Sequence, residues 1–277
     1  MFKAFRWSLV LMAAPLSPVL PTHAQTTATT TAATEEVAHY TYRVVKVYPH
    51  DPQAFTQGLF IQNGRLFEST GMAGASSLRE VDLTTGEVKR KHDIARPYFA
   101  EGVAPWGNAI IGLTWRHGKA FVWDRDSFVP KGEFAYTGEG WGLTGDGTHL
   151  ILSDGSDRLR FLDPQTFKVV GEVPVTLRGE PIEMLNELEY IGGQVYANVW
   201  QTDYIVRIDP KNGKINGIVD LKGLMAYGPA ITQRIDVLNG IAFNPETKHL
   251  LVTGKYWPAL FEIELIDKAT GKPYEFR

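Results

Sequence analysis

The sequence predicts an all-β fold, a five-bladed β-propeller, and three observations carry that prediction. From His39 onward no stretch holds the 3.6-residue apolar period of a long helix. A strand-rich unit recurs about every 40 to 50 residues, the spacing of propeller blades. The unit occurs five times, and a β-sandwich, the other all-β solution, gives no reason for a fivefold internal repeat.

The elements follow in order. "HYTYRVVKV" (39–47) alternates and is β-branched, so it reads as a strand outside the repeat. The first strand of each unit is "TQGLF", "AEGVA", "GWGLT", "LNELEY" and "LNGIA". The second is "GRLFEST", "NAIIGLTW", "THLILSDG", "GQVYANVW" and "KHLLVTGKYW". The third is "LREVDLTTGEV", "AFVWDRDSFVP", "LRFLDPQTFKV", "IVRIDPKNGKI" and "ALFEIEL". Four of these third strands end at an aspartate (Asp82, Asp124, Asp163, Asp209), whose short side chain can bond the backbone two residues on and start a turn. The fifth unit runs out of chain near Leu265, and the strand at 39–47 is expected to complete it and close the ring. The fourth unit departs most from the pattern, with Glu187 in place of a glycine. The irregular "KGLMAYGPAITQRIDV" (222–237) reads as a long loop over one end.

Two segments precede the folded sequence. Residues 1–24 have Lys3 and Arg6, a short apolar core and a small-residue end at Thr22-His23-Ala24, which is a secretory signal rather than a membrane span. Residues 25–38 are threonine- and alanine-rich and read as a disordered lead-in. A single domain over 39–277 is expected, in a secreted or periplasmic monomer with no membrane partner. Cleavage after Ala24 leaves 26 basic against 31 acidic residues, a balance that argues against a nucleic-acid partner. There is no cysteine, so stability must come from the core and from ring closure.

Glycine in four first strands (Gly58, Gly102, Gly142, Gly240) fits close approach of backbones near an axis. The residue before it varies, and is never a plain aliphatic: Gln57, Glu101, Trp141, Asn186 and Asn239. At equivalent positions of a radial fold these should converge on one channel mouth, giving a few polar groups on aromatic walls, the make-up of a small-ligand site. Phe55 and Phe99 lie two residues before that position. Trp115, Trp200 and Lys255 lie at the ends of second strands that run back to the same rim. The seven histidines show no paired metal-binding spacing, and no nucleophile elbow, P-loop or dinucleotide fingerprint occurs, so no metal or cofactor is expected.

The strings "FTQGL", "FAEGV", "LTW", "EGWGLT", "LNELEY", "NVWQTD", "LNGIA" and "GKYWP" resemble the plant-type, zinc-independent glutaminyl cyclases over about 45–265. The resemblance implies a five-bladed propeller that converts an N-terminal glutamine of a peptide or protein to pyroglutamate and releases ammonia. Matched by motif, it implies a site of Phe55, Gln57, Phe99, Glu101, Trp115, Trp141, Asn186, Trp200 and Lys255. Glu101, the one acid in the ring, is expected to shuttle the proton. Gln57, Asn186 and Lys255 are the candidate donors to the oxyanion, and the aromatic residues are the expected walls. A non-catalytic propeller binding a ligand or protein at the same mouth is the alternative. A propeller hydrolase fits less well, since one carboxylate among amides is a poor metal cage. A mature chain beginning at Gln25 would itself be a substrate, lighter by one ammonia in a mass spectrum.

Overall fold

A computed structural model describes residues 36–276. The signal and most of the lead-in lie outside the described residues. The regular structure of the described chain is all β-strand, apart from one 3-10 turn at Leu224–Tyr227. None of its helices is long and apolar enough to cross a membrane.

Strand β1 (Ala38–Pro49) comes first. The first meander is β2 (Thr56–Gln62), β3 (Arg65–Thr70), β4 (Ser77–Val81) and β5 (Val88–Asp93). The second is β6 (Ala100–Trp106), β7 (Ala109–Thr114), β8 (Lys119–Asp124) and β9 (Pro130–Ala135). The third is β10 (Leu143–Gly145), β11 (Leu150–Leu152), β12 (Arg158–Leu162) and β13 (Val169–Pro174), followed by the short hairpin β14 (Thr176–Leu177) and β15 (Glu180–Pro181). The fourth is β16 (Leu185–Ile191), β17 (Gln194–Val199), β18 (Tyr204–Ile208) and β19 (Ile215–Asp220). The last three strands are β20 (Leu238–Asn244), β21 (His249–Gly254) and β22 (Ala259–Asp267).

The first three meanders are separate four-stranded sheets. The last seven principal strands form one sheet with β1, in the order β16-β17-β18-β19-β1-β22-β21-β20. The N-terminal strand therefore completes the C-terminal unit as expected, pairing antiparallel with β22 from Tyr40↔Asp267 to Pro49↔Ala259. It also pairs parallel with β19 at three positions, Ala38↔Gly217 to Tyr40↔Val219, which joins the fourth unit to the fifth. The third strands end in Asx turns, in which Asp82, Asp124, Asp163 and Asp209 accept backbone N–H bonds two or three residues on. Asp267 ends β22 in the same way, a fifth instance that the sequence reading stopped short of.

The first strands neighbour one another in a closed cycle, β2 to β6, β10, β16, β20 and back to β2. Glycine makes that approach possible: a β-carbon on Gly58 would lie 2.6 Å from the Val103 amide nitrogen, and one on Gly102 would lie 2.6 Å from that of Leu143. Where the fourth unit lacks the glycine, buried Glu187 takes over the contact. Its two carboxyl oxygens accept the backbone N–H groups of Leu59 (3.1 Å) and Ile241 (2.8 Å), stitching β16 to β2 and β20. Five apolar clusters, drawn mainly from neighbouring units, fill the space around this inner cycle.

Candidate active site

The first strands carry a local irregularity that aims the site. Register with the second strand slips between Thr56 and Gly58, between Ala100 and Val103, between Leu185 and Leu188, and between Leu238 and Ile241. Each slip takes in the variable residue, and in all but the first also the one after it. A β-bulge turns a side chain out of the normal alternation, so Gln57, Glu101 and Asn186 leave their sheets and face the axis. The second strands return to the same end. The residues after Trp200 and Lys255, namely Gln201 and Tyr256, are in the left-handed region (φ 63° and 62°), an uncommon conformation for such side chains at the edge of a site.

One cavity of about 310 Å³ opens there, of a size suited to a small ligand. It is lined by Phe55, Gln57, Phe99, Glu101, Trp115, Trp141, Asn186, Trp200 and Lys255, the nine residues that the resemblance implies, and by Asp236. Asn239 does not line it. Its amide turns onto the neighbouring strand, donating to the Thr56 carbonyl (3.0 Å) and to Gln57 Oε1 (3.4 Å), and so supports Gln57 from behind. The backbone explains the difference: Gly240, next in line, has φ +119°, where the other first-strand glycines are not in the positive-φ region.

The walls are aromatic pairs. Phe55 meets Phe99 edge-on (6.0 Å between centroids), Phe99 meets Trp115 (5.6 Å), and Trp141 meets Trp200 edge-on (5.6 Å). Gly71 stands in the first unit where Trp115, Trp200 and Lys255 stand in others. A β-carbon there would run into the Phe99 ring, so the missing side chain makes room for that wall.

The floor is polar and nearly dry. Glu101 is 5% exposed, and among the described residues nothing hydrogen-bonds its carboxyl. Burial pushes its pKa well above the usual carboxylate range, the charge of Glu139 adds to this, and the Lys255 ammonium only partly offsets it. Lys255 is pulled down by burial, against the opposing pull of Glu101 and Asp236. Its Nζ lies 4.7 Å from the centre of the Phe55 ring. Among the described residues Asn186 Oδ1 is buried without a hydrogen-bond partner, while its backbone carbonyl accepts from Ser153 Oγ (2.6 Å).

Two residues near the cavity escaped the sequence reading. Asp236 comes from the irregular 222–237 segment, held by backbone bonds to Lys255 (2.8 Å) and from the Trp257 indole (2.9 Å). Glu139 receives the indole N–H of both Trp115 and Trp141. It occupies the position two before the variable residue, where Phe55 and Phe99 sit in the first two units, so the repeat itself carried the signal.

A cavity of this kind, with one buried acid whose pKa is pushed well above the usual carboxylate range, is that of an enzyme rather than a docking module. The chain belongs to the glutamine cyclotransferase family, whose model matches residues 18–265. It is 44% identical over 228 residues to the glutaminyl-peptide cyclotransferase of Arabidopsis thaliana, covering 80% of this chain and 70% of that one. The crystal structure of Myxococcus xanthus glutaminyl cyclase matches with a TM-score of 0.76 at 37% identity, over 83% of this chain and 98% of that one.

Proposed function

We propose that the cavity converts an N-terminal glutamine of a peptide or protein to pyroglutamate with release of ammonia, by acid–base chemistry on a five-bladed propeller. One observation carries the reading: nine residues, scattered over 200 positions of sequence from Phe55 to Lys255, line a single cavity with a lone dry acid in its floor.

The reaction is intramolecular. The substrate's α-amine nitrogen bonds to its own side-chain amide carbon, the C–N bond to the amide nitrogen breaks, and a five-membered lactam and ammonia result. The α-amine has a pKa of about 7.7–8.0, so much of it arrives protonated at neutral pH. The indole faces of Trp115, Trp141 and Trp200 suit that ammonium, and the narrow walls favour a curled side chain. Glu101 takes the proton that the attacking amine must lose and returns one to the departing nitrogen. A raised pKa suits both halves of that task. Gln57, Asn186 and Lys255 present the donors for the oxygen that gains charge in the tetrahedral intermediate.

The same reading makes residues 39–277 one domain, exported with the help of the 1–24 signal, working as a monomer without a bound cofactor. The test is direct. Purified protein is incubated with a short glutamine-initiated peptide and, in parallel, with its N-acetylated form. Ammonia and a product lighter by one ammonia should appear with the first and not with the second. No ammonia above the protein-free rate would leave the cavity as a binding site only.

A further inference from the structure

Glu139 joins two walls that come from different units. Its Oε2 accepts the Trp115 Nε1–H at 2.7 Å and the Trp141 Nε1–H at 2.9 Å. Its Oε1 accepts from Arg116 Nε at 2.8 Å, and the Arg116 guanidinium lies 3.7 Å from the Trp115 ring centre, covering that indole on its outer side. A tryptophan has two soft side-chain torsions, and a hydrogen bond from its Nε1 fixes the second once packing has fixed the first. Trp141 is backed by Gly155, where a β-carbon would stand 2.7 Å from the ring, and its edge contact passes the constraint on to Trp200.

We propose that Glu139 is a positioning residue of the cyclase site: one carboxylate oxygen locks the Trp115 and Trp141 indoles as adjoining walls of the substrate cavity. The inference rests on the cyclase reading above. It goes beyond that reading because Glu139 does not line the cavity. It is also poorly placed to serve folding, with its side chain 35% exposed and its ionic partner Arg116 62% exposed.

A second consequence is electrostatic. Burial would raise the pKa of Glu139, but the hydrogen bonds from Trp141, Arg116 and Trp115 outweigh it and keep the group charged. That charge adds to the burial that already raises Glu101. The groups facing Glu101 are Lys255 and Glu139, with the Tyr136 phenol nearby. Arg116 and Arg160 adjoin Glu139, and Asp236 acts on Lys255.

The test is Glu139→Gln in the full chain, assayed with a glutamine-initiated peptide across pH. The amide keeps the shape but loses the charge that strengthens two indole bonds. KM should rise about tenfold, the factor that corresponds to one weakened charged hydrogen bond, with a smaller fall in kcat. The limb of the pH–rate profile belonging to Glu101 should move to lower pH, since a charge that raised it is gone. The limb of the substrate's own amine should stay. Arg116→Gln is the control, because it leaves the carboxylate and both indole bonds in place: KM should change less, and the Glu101 limb should stay or move to higher pH. Wild-type KM with an unmoved limb in Glu139→Gln overturns the proposal, as does a shift in the same direction in both variants. If Glu139→Gln does not fold, the wild-type protein still decides. With ¹⁵N-labelled tryptophan, the Nε1–H resonances of Trp115 and Trp141 should shift together on acidification with one midpoint below the ordinary carboxylate range. Independent titration, or none, refutes the shared bond. Failure of wild-type ammonia release would instead strike the cyclase reading itself.

Discussion

Replacing Glu101 by glutamine removes one proton-carrying site and almost nothing else. The side chain keeps its length and planar end. In wild type the carboxyl is 5% exposed, and its pKa is pushed well above the carboxylate range, chiefly by burial. The protein therefore already folds around a carboxyl whose charged form burial disfavours. No hydrogen bond to the carboxyl is lost among the described residues, so stability should change by less than about 1 kcal/mol, roughly 2–4 °C in Tm for a chain of this size. Acid–base assistance is commonly worth about 10² to 10⁴ in rate, or about 2.7 to 5.4 kcal/mol of barrier. Glu101→Gln should lose that much in kcat/KM and keep a residual rate from the conformer held by the aromatic walls. Ammonia release from a glutamine-initiated peptide gives the rate, and thermal unfolding gives the stability. A wild-type profile should show one limb from Glu101, above the ordinary carboxylate range, and another from the substrate amine. The variant should lack the first and keep the second. Turnover within a factor of a few of wild type, in a protein of unchanged Tm, would remove Glu101 from the chemistry.

The other expectations follow from the same geometry. Lys255→Met removes the one nearby charge that lowers the Glu101 pKa, so the Glu101 limb should move to higher pH while kcat falls. A limb that stays put would mean that the two groups do not sense each other. Gly142→Ala would drive a β-carbon into the Asn186 carbonyl and to within 2.7 Å of Ser153 Oγ. Overpacking of this kind costs about 1–3 kcal/mol, and urea unfolding showing no loss would contradict the close approach of β10 and β16. His50, buried directly after β1, meets the Trp257 carbonyl (2.7 Å) and Glu68 (3.0 Å), linking the end of β1 to the first unit and to the turn before β22. Burial pulls His50 down, but the charge and hydrogen bond of Glu68 prevail and leave it raised; Glu68 is likewise raised by burial but lowered overall, chiefly by His50. The His50 contribution is complete below the unfolded value of about 6.5 and is lost as pH rises through the folded one. The Glu68 contribution is complete above the ordinary carboxylate value and is lost as pH falls through the folded one. Glu68→Gln should therefore cost most in the mildly acidic window between them, about 3–5 kcal/mol by urea unfolding. A cost that does not vary with pH would refute the coupling.

The repeat made most of the site legible, because a residue's place in the unit fixes its end of the strand. Equivalent positions then need only a radial arrangement to meet, and nine of them do. Asp236 was not legible, since the 222–237 segment has no counterpart in other units and its path is set by packing alone. Glu139 lay at a repeat position already noticed for Phe55 and Phe99, but a search for aromatics passes over a carboxylate. Asn239 was assigned to the ring by position, and the positive φ of Gly240 turned it aside. The parallel pairing of β1 with β19 has no local signature either: a strand's composition says that it will pair, not with which edge.

Burial alone does not pick out the acid proposed to carry the proton. Glu101 and Glu187 are both deeply buried and both pushed well above the carboxylate range, first by loss of solvent. They differ in what occupies their oxygens. Glu187 accepts two backbone N–H groups from two neighbouring strands, so gaining or losing a proton there disturbs the contact between first strands. Burial and the charge of Glu189 raise its pKa, and the two backbone bonds only partly oppose them. Glu101 faces a cavity with no protein donor on its carboxyl among the described residues, which leaves its oxygens open to a ligand. The same close approach of first strands dries both residues. One is a joint and the other stands open to a ligand because the bulge after Ala100 turns Glu101 toward the opening, whereas Glu187 reaches across to β2 and β20.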